Sequence, residues 1–241
     1  MAQPVRNEFK RSPLGALFGA IASRNGAAAL RLLAASPTLA RQALEDGATR
    51  AQARDFFFDE IAHYAYAGDT ALHMAAAAYE LTVAQGLVAK GANVRARNRR
   101  GAEPLHYAAD GIPGSGAWDP DAQFAIVKCL IEAGADPNAP DKSGVAPLHR
   151  AVRTRCAAAV RSLLENGADV RLKNASGSTP LHLAVQDTGR GGSGSVEARE
   201  QQAEIVKLLL DHGARSSDKD AAGRSVIECA GAERLSRLLP R

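Results

Sequence analysis

Apolar residues in this chain fall in short helical stripes separated by polar, turn-forming stretches. In residues 157–165, Val160, Leu163 and Leu164 share one face, which predicts an amphipathic helix. Gly167-Ala168 stops it, because glycine readily adopts the backbone that follows a helix end. The polar run from Asp169 to Gly177 then predicts a hairpin. Upstream, Gly144 marks a turn and Pro147 sits where a first helical turn tolerates proline, so a short helix should run through Leu148, His149 and Ala151. Two helices and a hairpin make one unit. Leu14, Leu17, Phe18 and Ile21 show helical spacing too, and a second run from Ala28 to Ala35 follows Asn25-Gly26. Residues 12–48 therefore read as a looser helix–turn–helix.

The unit recurs. Leu-His stands at Leu72-His73, Leu105-His106, Leu148-His149 and Leu181-His182, with histidine spacings of 33, 43 and 33. Alanine follows two places later, at Ala75, Ala108, Ala151 and Ala184. A period of this length describes one supersecondary unit repeated, each copy burying its apolar face against its neighbours. The order resembles the ankyrin repeat. The residues that carry the likeness are Thr179-Pro180-Leu181-His182-Leu183-Ala184, the run from Ile205-Val206-Lys207 to Gly213-Ala214, and the run from Ile126-Val127-Lys128 to Gly134-Ala135-Asp136.

The likeness covers residues 67–231 well and 12–48 loosely. It implies an all-α ankyrin-repeat solenoid of stacked helix pairs with β-hairpin fingers, about five or six repeats counting degenerate caps. It also implies a concave face of fingertips and first helices that binds protein partners. We therefore expect one ankyrin-repeat domain over 1–241. It comprises a degenerate repeat at 12–48, an extended aromatic finger at 49–68, repeats at 69–100, 101–143, 144–176 and 177–222, and a cap at 223–241. The chain departs from the family pattern where alanine follows Thr70, where Glu103 and Ala146 replace threonine, and where Ser225-Val226-Ile227-Glu228 replaces the motif. Arg234, Arg237 and Arg241 suit a capping role, since a terminal repeat has no neighbour over its outer face.

Composition changes this picture little. At 46% hydrophobic and 23% charged, the 241 residues suit a folded core and not a disordered chain. Cys129, Cys156 and Cys229 have no CxxC spacing and suggest buried thiols in a reducing compartment. We expect a cytoplasmic monomer without a membrane span. Arg6, Lys10 and Arg11 before the stretch Pro13 to Ala22, with Ala20-Ile21-Ala22, form a weak secretion-signal pattern. Export is therefore the alternative, although helical spacing favours a first repeat helix.

The repeated histidines invite a metal or catalytic reading, but equivalent positions on stacked helices lie about 8–10 Å apart, while a metal–nitrogen bond is near ~2 Å. The family resemblance makes His73, His106, His149 and His182 structural links between adjacent hairpins. No HExxH, GxSxG or Walker-type loop is present, so we expect no metal, no cofactor and no enzyme.

Three insertions interrupt the stack. Residues 50–66 hold Phe56, Phe57, Phe58, Tyr64 and Tyr66. Either this finger offers Phe56, Phe58, Tyr64 and Tyr66 to a partner, or it folds back with Phe57 and Ile61 covering the first helix pair. Tyr64 and Tyr66 would share one face of a returning hairpin strand. Residues 111–121 contain the sole tryptophan, Trp118, as loop anchor or partner contact. Residues 188–200 are glycine-rich and then charged, suiting a flexible connector better than an anion cradle.

The net charge of +4 and pI near 9.1 are unevenly distributed. Arg95, Arg97, Arg99 and Arg100 crowd one hairpin, Arg150, Arg153 and Arg155 the next first helix and its turn, and Arg171 and Lys173 a later hairpin. This predicts an electropositive groove that favours an acidic protein. The expected contact positions are Arg99, Arg100, Ala102, Tyr107, Asp110, Lys142, Val145, Arg150, Arg153, Ser178 and Gln186. Nucleic acid is disfavoured without interleaved aromatics. The other alternative is a small-ligand or enzymatic site at the inserted loops, using Asp110, Trp118, Asp187 and Arg190.

Overall fold

The computed structural model describes residues 9–51, 53–186, 196–230 and 239. The chain divides into two compact units, Met1–Ala108 with Cys129–Ala135, and Ala109–Lys128 with Asp136–Arg241.

In the first unit, α1 (Pro13–Ala22) starts at Ser12, whose Oγ accepts from the Gly15 N–H at 3.0 Å, with Pro13 in the first turn. It packs on α2 (Gly26–Ala35) and on α3 (Ala71–Ala78). Leu17, Phe18 and Ile21 are fully buried, so the stretch with signal-like residues is a core helix of this structure. α4 (Leu81–Ala89) packs on α3 and α2, and α5 (Pro104–Ala108) packs on α3.

Helix α6 (Pro120–Glu132) has its residues divided between the units. The second unit continues with the pair α7 (Pro147–Arg153) and α8 (Ala157–Glu165). A second pair follows, α9 (Pro180–Ala184) and α10 (Val196–Asp211), and then the short α11 (Val226–Cys229). α7 packs on α9, and α8 on α10. Val160, Leu163, Ile205, Val206 and Leu209 close the core between the second helices. Residues 196–200, expected as part of the third insertion, instead begin α10, because Ala198 and Gln202 turn a face into the core.

The fingers are sparser in strand than expected. Among the described residues one two-stranded ladder exists, β1 (Phe57–Phe58) antiparallel to β2 (His63–Tyr64), joined by a 3-10 turn at Asp59–Ile61. Isolated bridges join Ala43 to Thr70 and Lys219 to Ser225. The remaining fingers are tight turns held by side chains.

Candidate functional site

Each fingertip turn is locked by one Asn or Asp. Asn98 Oδ1 accepts from the N–H groups of Arg100 and Ala102, at 2.9 and 3.1 Å. Asp141, Asn174 and Asp220 do the same for the residues two and four places on. In all four, the first N–H also donates to the carbonyl four residues later, as in Asn98 to Ala102. Glycine fills the left-handed position at Gly101, Gly144, Gly177 and Gly223, with φ of 70–78°. The two residues between lock and glycine point outward in every tip: Arg99-Arg100, Lys142-Ser143, Ala175-Ser176 and Ala221-Ala222 are all exposed. The sequence reading missed these locks, although an Asx residue stands eight places before His106, His149, His182 and Glu228.

In the first unit, the aromatic finger lies beside the Asn98 tip, and the Arg99 N–H donates to the Ala67 carbonyl at 2.7 Å. Phe56 and Phe58 are buried, which removes them as partner anchors. Phe58 packs on Phe18 of α1, and Phe56 on Phe9. Phe57, which the fold-back alternative set over the first helix pair, is instead half-exposed on the opposite side of β1. There Phe57 lies 4.6 Å from Tyr64, and Tyr64 lies 6.3 Å from Tyr66. Tyr66 carries the guanidinium groups of Arg99 and Arg100 over its ring, at 5.3 and 4.6 Å. Arg99 also donates to the Ala48 carbonyl. The arginines and the aromatics, widely separated in sequence, thus form one surface.

Behind that surface sits a buried polar cluster. The Asp69 carboxylate is fully buried and accepts from Tyr66 N–H at 2.6 Å and Asn98 Nδ2 at 2.9 Å. It also accepts from Tyr107 Oη, at 2.7 and 2.9 Å to its two oxygens. Tyr107 and Ala102 are each 1% exposed, so neither offers a side chain to a partner, contrary to expectation. Their place is inward because Tyr107 spans from α5 to the finger and Ala102 closes the tip over His73.

In the second unit, Arg150 is not available as a free positive charge. Its Nη1 lies 3.2 Å from Asp110 and its Nη2 3.6 Å from Asp141, all three being largely buried. Arg171 pairs with Asp218 at 2.7 Å, and that contact holds the Asp218 carboxyl below its usual range. Lys142 and Arg153 are exposed, Val145 is half-buried, and Ser178 is buried against expectation because its carbonyl receives His149. Trp118 is half-buried and donates to Gln123 Oε1 at 2.9 Å, tying its loop to α6. Gln123 in turn donates to the Asp110 carbonyl. Gln186 presents a half-exposed side chain, and its carbonyl is held by Arg155 and Gln202. Asp187, Arg190, Arg234, Arg237, Arg241 and most of the 188–200 insertion lie outside the described residues. In the described part of the loop-site alternative, Asp110 and Trp118 are engaged by Arg150 and Gln123.

The histidines share one pattern. Nδ1 accepts the N–H three residues earlier: Thr70 for His73, Glu103 for His106, Ala146 for His149 and Thr179 for His182. With that role fixed, Nε2 carries the proton and donates onward, from His73 to Ala102, His149 to Ser178 and His182 to Arg224. Glu228 takes the equivalent place in the last unit, its carboxylate accepting from Ser225 N–H at 2.7 Å. Among the described residues, no group of three or more His, Cys, Asp or Glu is placed to hold a metal ion. No helix among them is long and apolar enough to cross a membrane.

Paired helices, locked tips and histidine links between successive tips define a helical repeat protein. A family model for ankyrin repeats, three copies, matches residues 120–220, and a model for the single ankyrin repeat matches residues 67–99. The chain belongs to the ankyrin repeat family, whose repeats generally mediate protein–protein interaction. A search among curated proteins found no match.

Proposed function

We propose that this chain is a non-enzymatic binding module that holds an acidic partner protein through its fingertips. The observation that carries the reading is the set of locked tips: rigid turns that present two outward side chains each, in the manner of a scaffold built to display. The outward pairs Arg99-Arg100 and Lys142-Ser143 carry positive charge. Among the described residues no carboxylate pairs with Arg99, Arg100, Lys142 or Arg153. Such charges steer an acidic partner and speed encounter.

The test is affinity capture from native lysate at two salt concentrations, with quantitative mass spectrometry. Charge reversal at Arg99 and Arg153 should abolish capture of the acidic proteins held by the wild type. Capture that persists unchanged in the reversed protein sinks the reading.

A further inference from the structure

Most arginines with a defined contact here meet a carboxylate or a carbonyl. Arg97 meets Glu103, Arg150 meets Asp110 and Asp141, Arg171 meets Asp218, and Arg95 donates to the Gly134 carbonyl. Arg99 also donates to the Ala48 carbonyl, but it and Arg100 share a second feature: both lie over the Tyr66 ring. A guanidinium over a ring face keeps N–H donors for an oxyanion such as a carboxylate, and its weak hydration lowers the cost of pairing.

We infer that Tyr64, Tyr66, Arg99 and Arg100 form a docking platform for an extended acidic segment of another protein. The segment has an apolar residue two places from a glutamate or aspartate. This rests on the acidic-partner reading above and assigns its contact to the finger. Alternate residues of an extended chain stand about 6.6 Å apart on one face, and the Tyr64 and Tyr66 rings are 6.3 Å apart. An apolar side chain on Tyr64 therefore puts the following same-face carboxylate near Tyr66, within reach of the two guanidinium groups that lie over its ring. Phe57, 4.6 Å from Tyr64, extends the apolar end. The buried Asp69–Asn98–Tyr107 cluster fixes both halves: Asn98 locks the tip that carries the arginines, and Asp69 holds the Tyr66 N–H. The platform is therefore ordered before a partner arrives, which lowers the entropic cost of binding. A nucleic acid strand fits less well. Phe57, Tyr64 and Tyr66 pack tilted against one another at 50° and 42°, so their faces are not laid out as parallel stacking steps for bases.

The experiment is fluorescence anisotropy of the full chain with a labelled decapeptide of repeated Phe-Gly-Glu. The controls replace each Phe by Gly, replace each Glu by Lys, or substitute an oligothymidylate. The Phe-Gly-Glu peptide should bind. Arg100→Ala and Tyr64→Ala should each weaken it at least about fivefold, and removing its Phe residues should do the same. Arg100→Glu should lose this peptide and gain the Phe-Gly-Lys peptide, a swap that misfolding cannot produce. If acidic peptides bind but ignore Arg100→Ala and Tyr64→Ala, the platform is overturned while the acidic-partner reading stands. If no acidic peptide binds, that reading falls and the platform with it. Tighter binding of the oligothymidylate with the same variant dependence also overturns it.

Discussion

Tyr107→Phe removes one oxygen from a buried cluster and leaves the ring in place, so its cost isolates the hydrogen bonds of the hydroxyl. The hydroxyl donates to both oxygens of Asp69, at 2.7 and 2.9 Å, and accepts from Asn98 Nδ2 at 2.9 Å. Asp69 is fully buried, so no water replaces the lost donor. Each carboxylate oxygen keeps one other partner, Asn98 on Oδ1 and the Tyr66 N–H on Oδ2. The charge is thus weakened in its solvation but not stranded. The loss is that of a hydrogen bond to a charged group and of the one accepted from Asn98, together about 3 kcal/mol. With the ring retained, no cavity adds to it. For a chain of this size that lowers the melting temperature by about 6–12 °C. Urea unfolding followed by circular dichroism gives the free energy directly. Combining Tyr107→Phe with Asp69→Asn should reveal a coupling of about 1 kcal/mol or more, because the two side chains touch. A loss below about 0.5 kcal/mol, or additive single losses, would mean that Asp69 does not depend on the phenol. The reasoning about the fingertip would then fail with it.

His149 titrates below its ordinary value of 6.5 because burial disfavours its charged form, against the pull of the Ser178 carbonyl. The unfolded chain therefore binds the proton first. Stability is complete above about 6.5 and drains as pH falls through the folded value. Urea midpoints should drop between pH 7 and pH 5, and less so in His149→Gln; an identical slope in the variant would contradict this. Gly177 and Gly114 share left-handed backbone, but a Cβ at Gly177 meets the Ala221 nitrogen at 2.5 Å, whereas one at Gly114 meets nothing within 4 Å. Gly114→Ala should cost about 1 kcal/mol and Gly177→Ala clearly more; equal urea midpoints would count against the tip packing. The Cys156 thiol is pushed up to about 12 by burial. A maleimide at neutral pH should therefore label Cys129 and Cys229 well before it, as peptide mass mapping would show.

What the sequence made legible was whatever repeats. Helix pairs, the motif histidines and the places of the insertions follow from a period that any single copy would hide. Side-chain direction in the finger was not legible for a definite reason. Phe56-Phe57-Phe58 is apolar throughout, so no polar residue marks which alternate positions face inward, and a one-residue shift exchanges the buried and exposed sets. The structure buries Phe56 and Phe58 and leaves Phe57 outside. The basic face was misjudged for another reason. Arg150 counts as a charge in the sequence, but its partners Asp110 and Asp141 come from the preceding repeat, and the pairing appears only in the fold. Ala102, Tyr107 and Ser178 were placed on a contact face by register alone, which locates a backbone and leaves the side chain's direction open.

The insertions carry their own compensation, and this argues that they were built into the fold. Where no insertion occurs, the turn between paired helices closes through a left-handed residue, Arg24, Tyr79 or Arg155. The next N–H then returns to the helix: Asn25 to Ala20, Glu80 to Ala75 and Cys156 to Ala151. An insertion removes that closure and leaves carbonyls at the helix end in need of donors. In both such repeats a buried glutamine supplies them, three residues before the Ile-Val-Lys run. Gln123 donates to the Asp110 carbonyl, and Gln202 to those of Ala184 and Gln186. Arg155, from the uninterrupted repeat, adds a second donor to Ala184 and Gln186. Glutamine is absent from the matching places, Glu80 and Cys156, where the turn closes on its own. Donors that appear only where a loop has been added hold the residues that lead into it, Asp110 in one repeat and Gln186 in the other, to the following helix.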